Sequence, residues 1–227
     1  MLHACAHNPT GIDPTPEQWE QVADAVQAKG HFAFFDCAYQ GFASGDLDRD
    51  AHAVRLFAQR GMALFVAQSY SKNFGLYNER VGALVAVSAS NEQARSIRSQ
   101  LCKLNRGMIS NPPAFGARVV ARVLNDAQLF QEWKLNLQVM VDRIRAMRQQ
   151  LHALLLELGT PGQWDHVITQ IGMFSYTGLT QRQSLLMRDK FHIYMTDNGR
   201  ISIAGLTTAN IRYFATSMDW TVRNCTE

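Results

Sequence analysis

A lysine that directly follows an apolar run is the first feature of this sequence that could carry chemistry. Lys72 lies in the segment 68–75, which reads QSYSKNFG, after the apolar run 62–67. Lysine is scarce here, with five lysines against seventeen arginines. Burial at the end of a strand would lower the pKa of the amine and favour its neutral, nucleophilic form. A lysine that snorkels from a strand end into solvent is the alternative interpretation.

Other polar side chains stand at the ends of the neighbouring apolar runs. They are an amide, a carboxylate, a phenol, a hydroxyl and a guanidinium, from Asn8, Asp36, Tyr39, Ser69 and Arg80. If the runs are parallel strands, these groups meet at one edge of a sheet. Together with the amine they suit a phosphorylated pyridine aldehyde, whose ring acts as an electron sink. Taken singly, each residue also has an ordinary structural explanation as a turn, a helix cap, a core aromatic or a solvated charge.

The elements that would position these groups alternate between strand and helix. A Thr15-Pro16 cap opens a helix that ends at Gly30, and a second helix is predicted over 50–60. This alternation predicts an α/β fold with a three-layer, mostly parallel sheet. The predicted strands of this sheet are the apolar runs 2–6, 31–35, 62–68 and 81–87.

The pattern changes after residue 91, where helices dominate. A long amphipathic helix with apolar residues from Trp133 to Leu155 ends at Gly159, and a terminal helix is predicted from Thr207. We therefore predict a large domain at 1–138 and a smaller α+β C-terminal domain at 139–227, joined by the long helix. The strands of the smaller domain are predicted near 171–177, 193–196 and 201–204.

Composition argues against several classes of function. The formal charge of +3 is scattered, without a lysine or arginine run, so nothing favours nucleic acid or an anionic membrane as a partner. The apolar stretches are too short to span a bilayer. The four cysteines have no zinc-like spacing, which predicts free thiols in a reducing compartment and no metal site.

Long motifs carry a specific resemblance. They read HACAHNPTG at 3–11, FDCAYQGFASG at 35–45, and SYSKNFGLYNERVG at 69–82. Shorter motifs follow at 110–113 (SNPP), 170–175 (QIGMFS) and 198–206 (NGRISIAGL). With these motifs the chain resembles the pyridoxal-phosphate-dependent aspartate aminotransferases of the class I aminotransferase family.

The resemblance implies pyridoxal 5'-phosphate as the cofactor and gives each residue a role. Lys72 would bind the cofactor covalently and move the substrate proton. Asp36 would hold the ring nitrogen, with His3 behind it. The remaining cofactor contacts would be Asn8 and Tyr39 at the phenolate oxygen, and Ser69 and Arg80 at the phosphate. The family also implies a cis bond between Asn8 and Pro9.

The same resemblance implies a dicarboxylic substrate. Arg200 would bind its α-carboxylate, and Arg106 would reach the distal carboxylate from the neighbouring subunit of a homodimer. Asn8 would also contact the substrate. Phe174 would line the substrate pocket, with a packing role as the alternative.

The implied reaction converts L-aspartate and 2-oxoglutarate to oxaloacetate and L-glutamate by a ping-pong mechanism. The match covers the C-terminal half or slightly more of a family member, so we expect an N-terminally truncated chain. Alternatives are an aromatic or broad-specificity class I aminotransferase, and an inactive fragment that acts only through its dimer surface. The family has cytoplasmic and mitochondrial members, so an intracellular location in either compartment is expected.

Overall fold

The computed structural model describes residues 1–225 and divides into two compact units. The first unit comprises Met1–Cys5 and Asp13–Gln138. The second comprises the segment Ala6–Ile12 and the chain from Val139 onward. Ala6–Ile12, which lies within the range predicted for the large domain, is therefore part of the second unit.

The first unit contains a four-stranded sheet. Strands β1 (Leu2–His3), β2 (Ala33–Cys37) and β3 (Leu64–Ser69) are parallel, in that order. The fourth strand, β4 (Gly82–Val87), pairs antiparallel with β3. Segment 70–81 holds no helix that could carry the chain back across the sheet, as a parallel return usually requires. The α/β prediction is confirmed, with an antiparallel last pairing.

Helices on the first unit bury an aromatic core. Trp19 on α1 packs against Phe35 of β2 and Phe57 of α3, and the two phenylalanine rings meet edge to face at 5.0 Å.

The capping box predicted at Thr15 is present. The helix predicted over 50–60 is present over His52–Gln59, and a further short helix, Leu47–Asp50, precedes it. The helices are α1 (Pro16–Ala28), α2 (Leu47–Asp50), α3 (His52–Gln59), α4 (Asn91–Ile109), α5 (Phe115–Asn125) and α6 (Ala127–Glu157), whose last part belongs to the second unit.

The second unit pairs two short strands with helices. Strand β5 (Phe174–Tyr176) runs antiparallel to β6 (Arg200–Ser202), and the segment predicted as a strand near 193–196 is not one. Its further helices are α7 (His166–Thr169), α8 (Gln181–Phe191) and α9 (Ile211–Asn224). Its fully buried side chains include Leu151, Leu155, Met187, Ile203, Ile211 and Met218.

Residues 1–225 contain no helix with the length and apolar character needed to cross a membrane. Within the same range, no group of three or more histidine, cysteine or acidic side chains could hold a metal ion. The four cysteines are free thiols.

Candidate active site

Three of the predicted site residues belong to one edge of the sheet in the first unit. Asp36 on β2 pairs in register with Ala67 on β3, and Ser69 at the end of β3 pairs with Gly82 at the start of β4. Because β4 is antiparallel to β3, it begins at the edge where β3 ends. Arg80, two residues before β4, is thereby brought to the carboxyl ends of the parallel strands, where such sheets bind ligands.

A cavity of about 410 Å³ lies at this edge. Asp36, Ser69 and Arg80 all line it, together with apolar residues such as Phe34 and Leu84. Along β2 the residues facing the cavity alternate with the buried Ala33, Phe35 and Cys37, as expected for successive side chains of a strand. Its volume falls in the range of small-molecule pockets.

Lys72 is half-buried, and its Nζ lies 4.6 Å from the centroid of the Tyr39 ring. Desolvation lowers the pKa of this amine, and the charge of Arg80 lowers it further, while the charge of Asp36 acts in the opposite direction. The surroundings therefore favour the neutral amine, which is the nucleophilic and proton-accepting form. The sequence prediction of a lysine with a lowered pKa agrees with this environment.

The loop that follows Tyr39 is held by a residue that sequence reasoning missed. Asp50 is buried, and its carboxylate accepts backbone N–H bonds from Gly41, Ala43 and Ser44 at 2.8, 3.1 and 2.9 Å. Burial raises the pKa of this carboxyl, although the bonds from Ser44 and Gly41 act against the increase. An aspartate soon after a loop with two glycines is the only sequence signal that could have indicated this role.

Arg80 is exposed and has a backbone φ of +51°, which is uncommon for a residue with a side chain. Its Nη1 donates to the carbonyl of Tyr77 at 2.7 Å. A strained backbone of this kind is concentrated at functional sites. His3 lies on β1 in register with Asp36, so the two residues are direct neighbours on adjacent parallel strands.

A separate cluster in the second unit contains three of the four predicted substrate-binding residues, Arg200, Asn8 and Phe174. Arg200 Nη1 donates to Asn8 Oδ1 at 3.0 Å, and the centre of its guanidinium lies 4.7 Å above the Phe174 ring. Asn8 comes from the segment Ala6–Ile12, where the Asn8-Pro9 bond is cis as expected. Arg200 and Phe174 come from the paired strands β6 and β5.

A buried arginine, Arg148, orders the segment that leads to Phe174, and no sequence pattern singled it out. Its guanidinium donates to the carbonyls of Val167, Gly172 and Phe174, the first two at 2.8 and 3.0 Å. Only 3% of the residue is exposed, and burial lowers its pKa to about 10. Arg148 therefore fixes the backbone beside the ring that lies under Arg200.

Arg106 is not placed with either group. It is exposed near the end of α4 and donates to the hydroxyl of Ser110. The described cavity lining does not include it.

A family model described as aminotransferase class I and II matches residues 1–218. The chain is 56% identical to a chloroplastic aspartate aminotransferase of Arabidopsis thaliana over 95% of its own length. The chain is also similar to a mitochondrial aspartate aminotransferase of Lupinus angustifolius and to a cytoplasmic one of Gallus gallus. The chain spans about half the length of these curated relatives, 48% in the Arabidopsis case.

Solved structures agree with this match. A structure described as a putative aspartate aminotransferase from Leishmania major superposes with a TM-score of 0.96 and 45% identity, covering 99% of this chain and 56% of the other. An aromatic-amino-acid aminotransferase from Burkholderia pseudomallei, covalently bound to pyridoxal phosphate, gives a TM-score of 0.95 and 43% identity over 97% of this chain and 55% of that one. The chain belongs to the class I and II aminotransferase family of pyridoxal-phosphate-dependent transaminases, within which it is similar to the aspartate aminotransferases.

Proposed function

We propose that this chain carries the catalytic lysine, cofactor contacts and substrate-carboxylate arginine of an aspartate aminotransferase. The observation that supports the proposal best is the sheet edge of the first unit. There, Asp36, Ser69 and Arg80 line one cavity. Desolvation and the charge of Arg80 lower the pKa of Lys72, against the effect of Asp36. The reaction would convert L-aspartate and 2-oxoglutarate to oxaloacetate and L-glutamate.

The residues present fit pyridoxal phosphate. The half-buried amine of Lys72 suits the aldehyde, and the carboxylate of Asp36 suits a protonated ring nitrogen. The hydroxyl of Ser69 and the guanidinium of Arg80 suit a phosphate dianion, which arginine can bind in a bidentate manner. When bound, this cofactor supplies an electron sink for the carbanion formed at the substrate Cα.

Lys72 would hold the cofactor and act as the base that takes the proton from the substrate Cα. Its neutral form is the one that can accept this proton, which is why a lowered pKa assists the role. Asp36 would keep the proton on the ring nitrogen, and His3, its neighbour on β1, would orient the carboxylate. Tyr39 would donate to the phenolate oxygen, and Asn8 would share that contact.

Arg200 would bind the α-carboxylate of the substrate through two parallel N–H bonds, which fix orientation as well as charge. Its contacts with Asn8 and Phe174 restrict the guanidinium before substrate arrives. Arg106 would contact the distal carboxylate in the other subunit of a homodimer, the proposed partner of this chain.

We also propose that the first unit is part of the family's three-layer large domain and that the second is the smaller C-terminal domain.

The preferred compartment is the cytoplasm or mitochondrion, although one similar relative is named as chloroplastic. A second candidate, an aromatic or broader aminotransferase, is favoured by the similarity to the Burkholderia enzyme. An inactive fragment that acts through its dimer surface is the third candidate, because the chain spans only about half of its relatives.

Titration of the purified chain with pyridoxal phosphate tests the proposal. We expect a visible absorbance band at one cofactor per chain, which is lost in Lys72→Ala and kept in Lys103→Ala, a control at an exposed lysine of α4. Steady-state rates with aspartate and phenylalanine as amino donors then separate the two enzyme candidates. A chain that forms no band is the inactive fragment, and full turnover in Lys72→Ala would refute the role of the lysine.

A further inference from the structure

Asn73, the residue after Lys72, joins distant parts of the first unit. Only 4% of it is exposed. Its side-chain Nδ2 donates to the carbonyl of Gln40 at 3.2 Å, and its own carbonyl accepts from the Trp133 indole at 2.7 Å. One residue therefore links the loop after β3 to the loop after β2 and to helix α6.

The side-chain bond lies next to the contact between the amine and the phenol. Asn73 is adjacent in sequence to Lys72, and Gln40 is adjacent to Tyr39. The bond thus connects the backbone at the two positions whose side chains meet at 4.6 Å. Any separation of the two loops would have to break it.

Aromatic packing holds the same segment from the side of α6. The Phe74 ring stacks on Trp133 with centroids 4.6 Å apart and planes 23° from parallel. The Tyr70 ring meets Phe74 edge to face, with centroids 5.5 Å apart. The lysine therefore extends from a segment whose backbone is fixed both by rings and by hydrogen bonds.

The two polar atoms of the Asn73 amide differ in their contacts. Its buried Oδ1 has no hydrogen-bond partner among the described residues. A buried polar atom without a partner destabilises a fold. An apolar residue of similar size would avoid this cost but could not donate to Gln40.

We propose that Asn73 is a positioning residue for Lys72, whose amide cross-links two loops and holds the amine against the Tyr39 ring. The proposal rests on the proposed function only in taking Lys72 as the catalytic lysine. The positioning itself can be measured without cofactor. The charged groups that act on this amine are Asp36 and Arg80, and the Tyr39 ring covers one side of it. If the cross-link is removed, we expect water to reach the amine, so that desolvation lowers its pKa less.

The test measures the pKa of Lys72 in the cofactor-free chain. Reductive methylation with ¹³C-formaldehyde labels the five lysines and the N-terminal amine, and NMR follows each signal with pH. The Lys72 signal is the one missing from Lys72→Arg. In Asn73→Leu, which keeps the size but not the donor, we expect the titration midpoint of Lys72 to shift upward.

Two further variants make the test specific. Trp133→Phe keeps a ring against Phe74 but removes the bond to the Asn73 carbonyl, so a smaller upward shift is expected. Asn136→Leu is the control, because it removes a similar amide-to-carbonyl bond, 2.8 Å to Glu132, on the exposed side of α6. Its Lys72 midpoint should equal that of the wild type.

The proposal is overturned if folded Asn73→Leu titrates like the wild type at Lys72, whatever the result for Trp133→Phe. If Asn73→Leu does not fold by circular dichroism, Asn73→Ala, which also lacks the amide donor, decides by the same criterion. Uptake of pyridoxal phosphate is measured in a separate titration. A wild-type chain without a visible band would therefore refute the proposed function and leave the pKa comparison intact.

Discussion

Replacing Arg148 with methionine is expected to destabilise the second unit strongly. The guanidinium is buried and donates to three backbone carbonyls, at Val167, Gly172 and Phe174. A buried acceptor left without its donor costs about 1–3 kcal/mol. Loss of three such bonds is partly offset, because the variant no longer buries a charge or the unpaired Nε. We therefore expect a loss of about 3–5 kcal/mol in the free energy of unfolding.

Urea unfolding followed by circular dichroism measures this loss, and amide hydrogen exchange over 166–176 localises it. Arg212→Met is the matched control, because Arg212 is exposed and pairs with an exposed Glu157 at 3.4 Å. Such a surface pair contributes under about 1 kcal/mol. Equal stabilities of the two variants would refute the argument that the carbonyl contacts of Arg148 order this segment.

Two other substitutions test the local packing. Burial raises the pKa of Asp50 above its ordinary value of 3.8, so the folded protein binds this proton more readily than the unfolded chain. The free energy of unfolding should therefore gain a contribution from Asp50 as the pH falls through the folded pKa towards 3.8. Urea midpoints measured across this pH range should show that Asp50→Asn lacks this gain in stability. The same change of midpoint with pH in both proteins would contradict the prediction. Gly172→Ala should cost about 1–3 kcal/mol in the same assay, because Gly172 has a φ of +81° and a Cβ there would lie 2.7 Å from that of Ala6. Its control, Gly205→Ala, meets nothing within 4 Å, and equal midpoints for the two glycine variants would argue against the strain.

The sequence predicted the strands that carry the cavity because their apolar runs are continuous and end in polar residues. Ser69 and Asp36 were placed at strand ends from this pattern alone, and the cavity lining contains both. The strand boundaries differed by up to three residues: β1 ends at His3 rather than at Ala6, and β2 extends to Cys37 rather than ending at Phe35. Periodicity locates the apolar centre of a strand better than its polar ends.

The features that were not predicted have either a weak local pattern or contacts between distant residues. Helix α8 was missed because few of its residues are apolar, although Thr180 and Gln183 form a capping box that could have signalled its start. Arg148 resembles any polar residue on an amphipathic helix, and only the fold brings carbonyls of three later residues to it. Asn73 is likewise unremarkable in sequence, because its two partners lie 33 and 60 residues away.

The path of the chain between the two units has a practical consequence for dissecting this protein. The backbone passes from one unit to the other after Cys5, after Ile12 and after Gln138. Expression of 139–227 alone would therefore yield a second unit that lacks its segment Ala6–Ile12, and with it the Asn8 amide that Arg200 contacts. To restore all the residues of the second unit, such a fragment would need a peptide covering 6–12, added separately or fused through a linker.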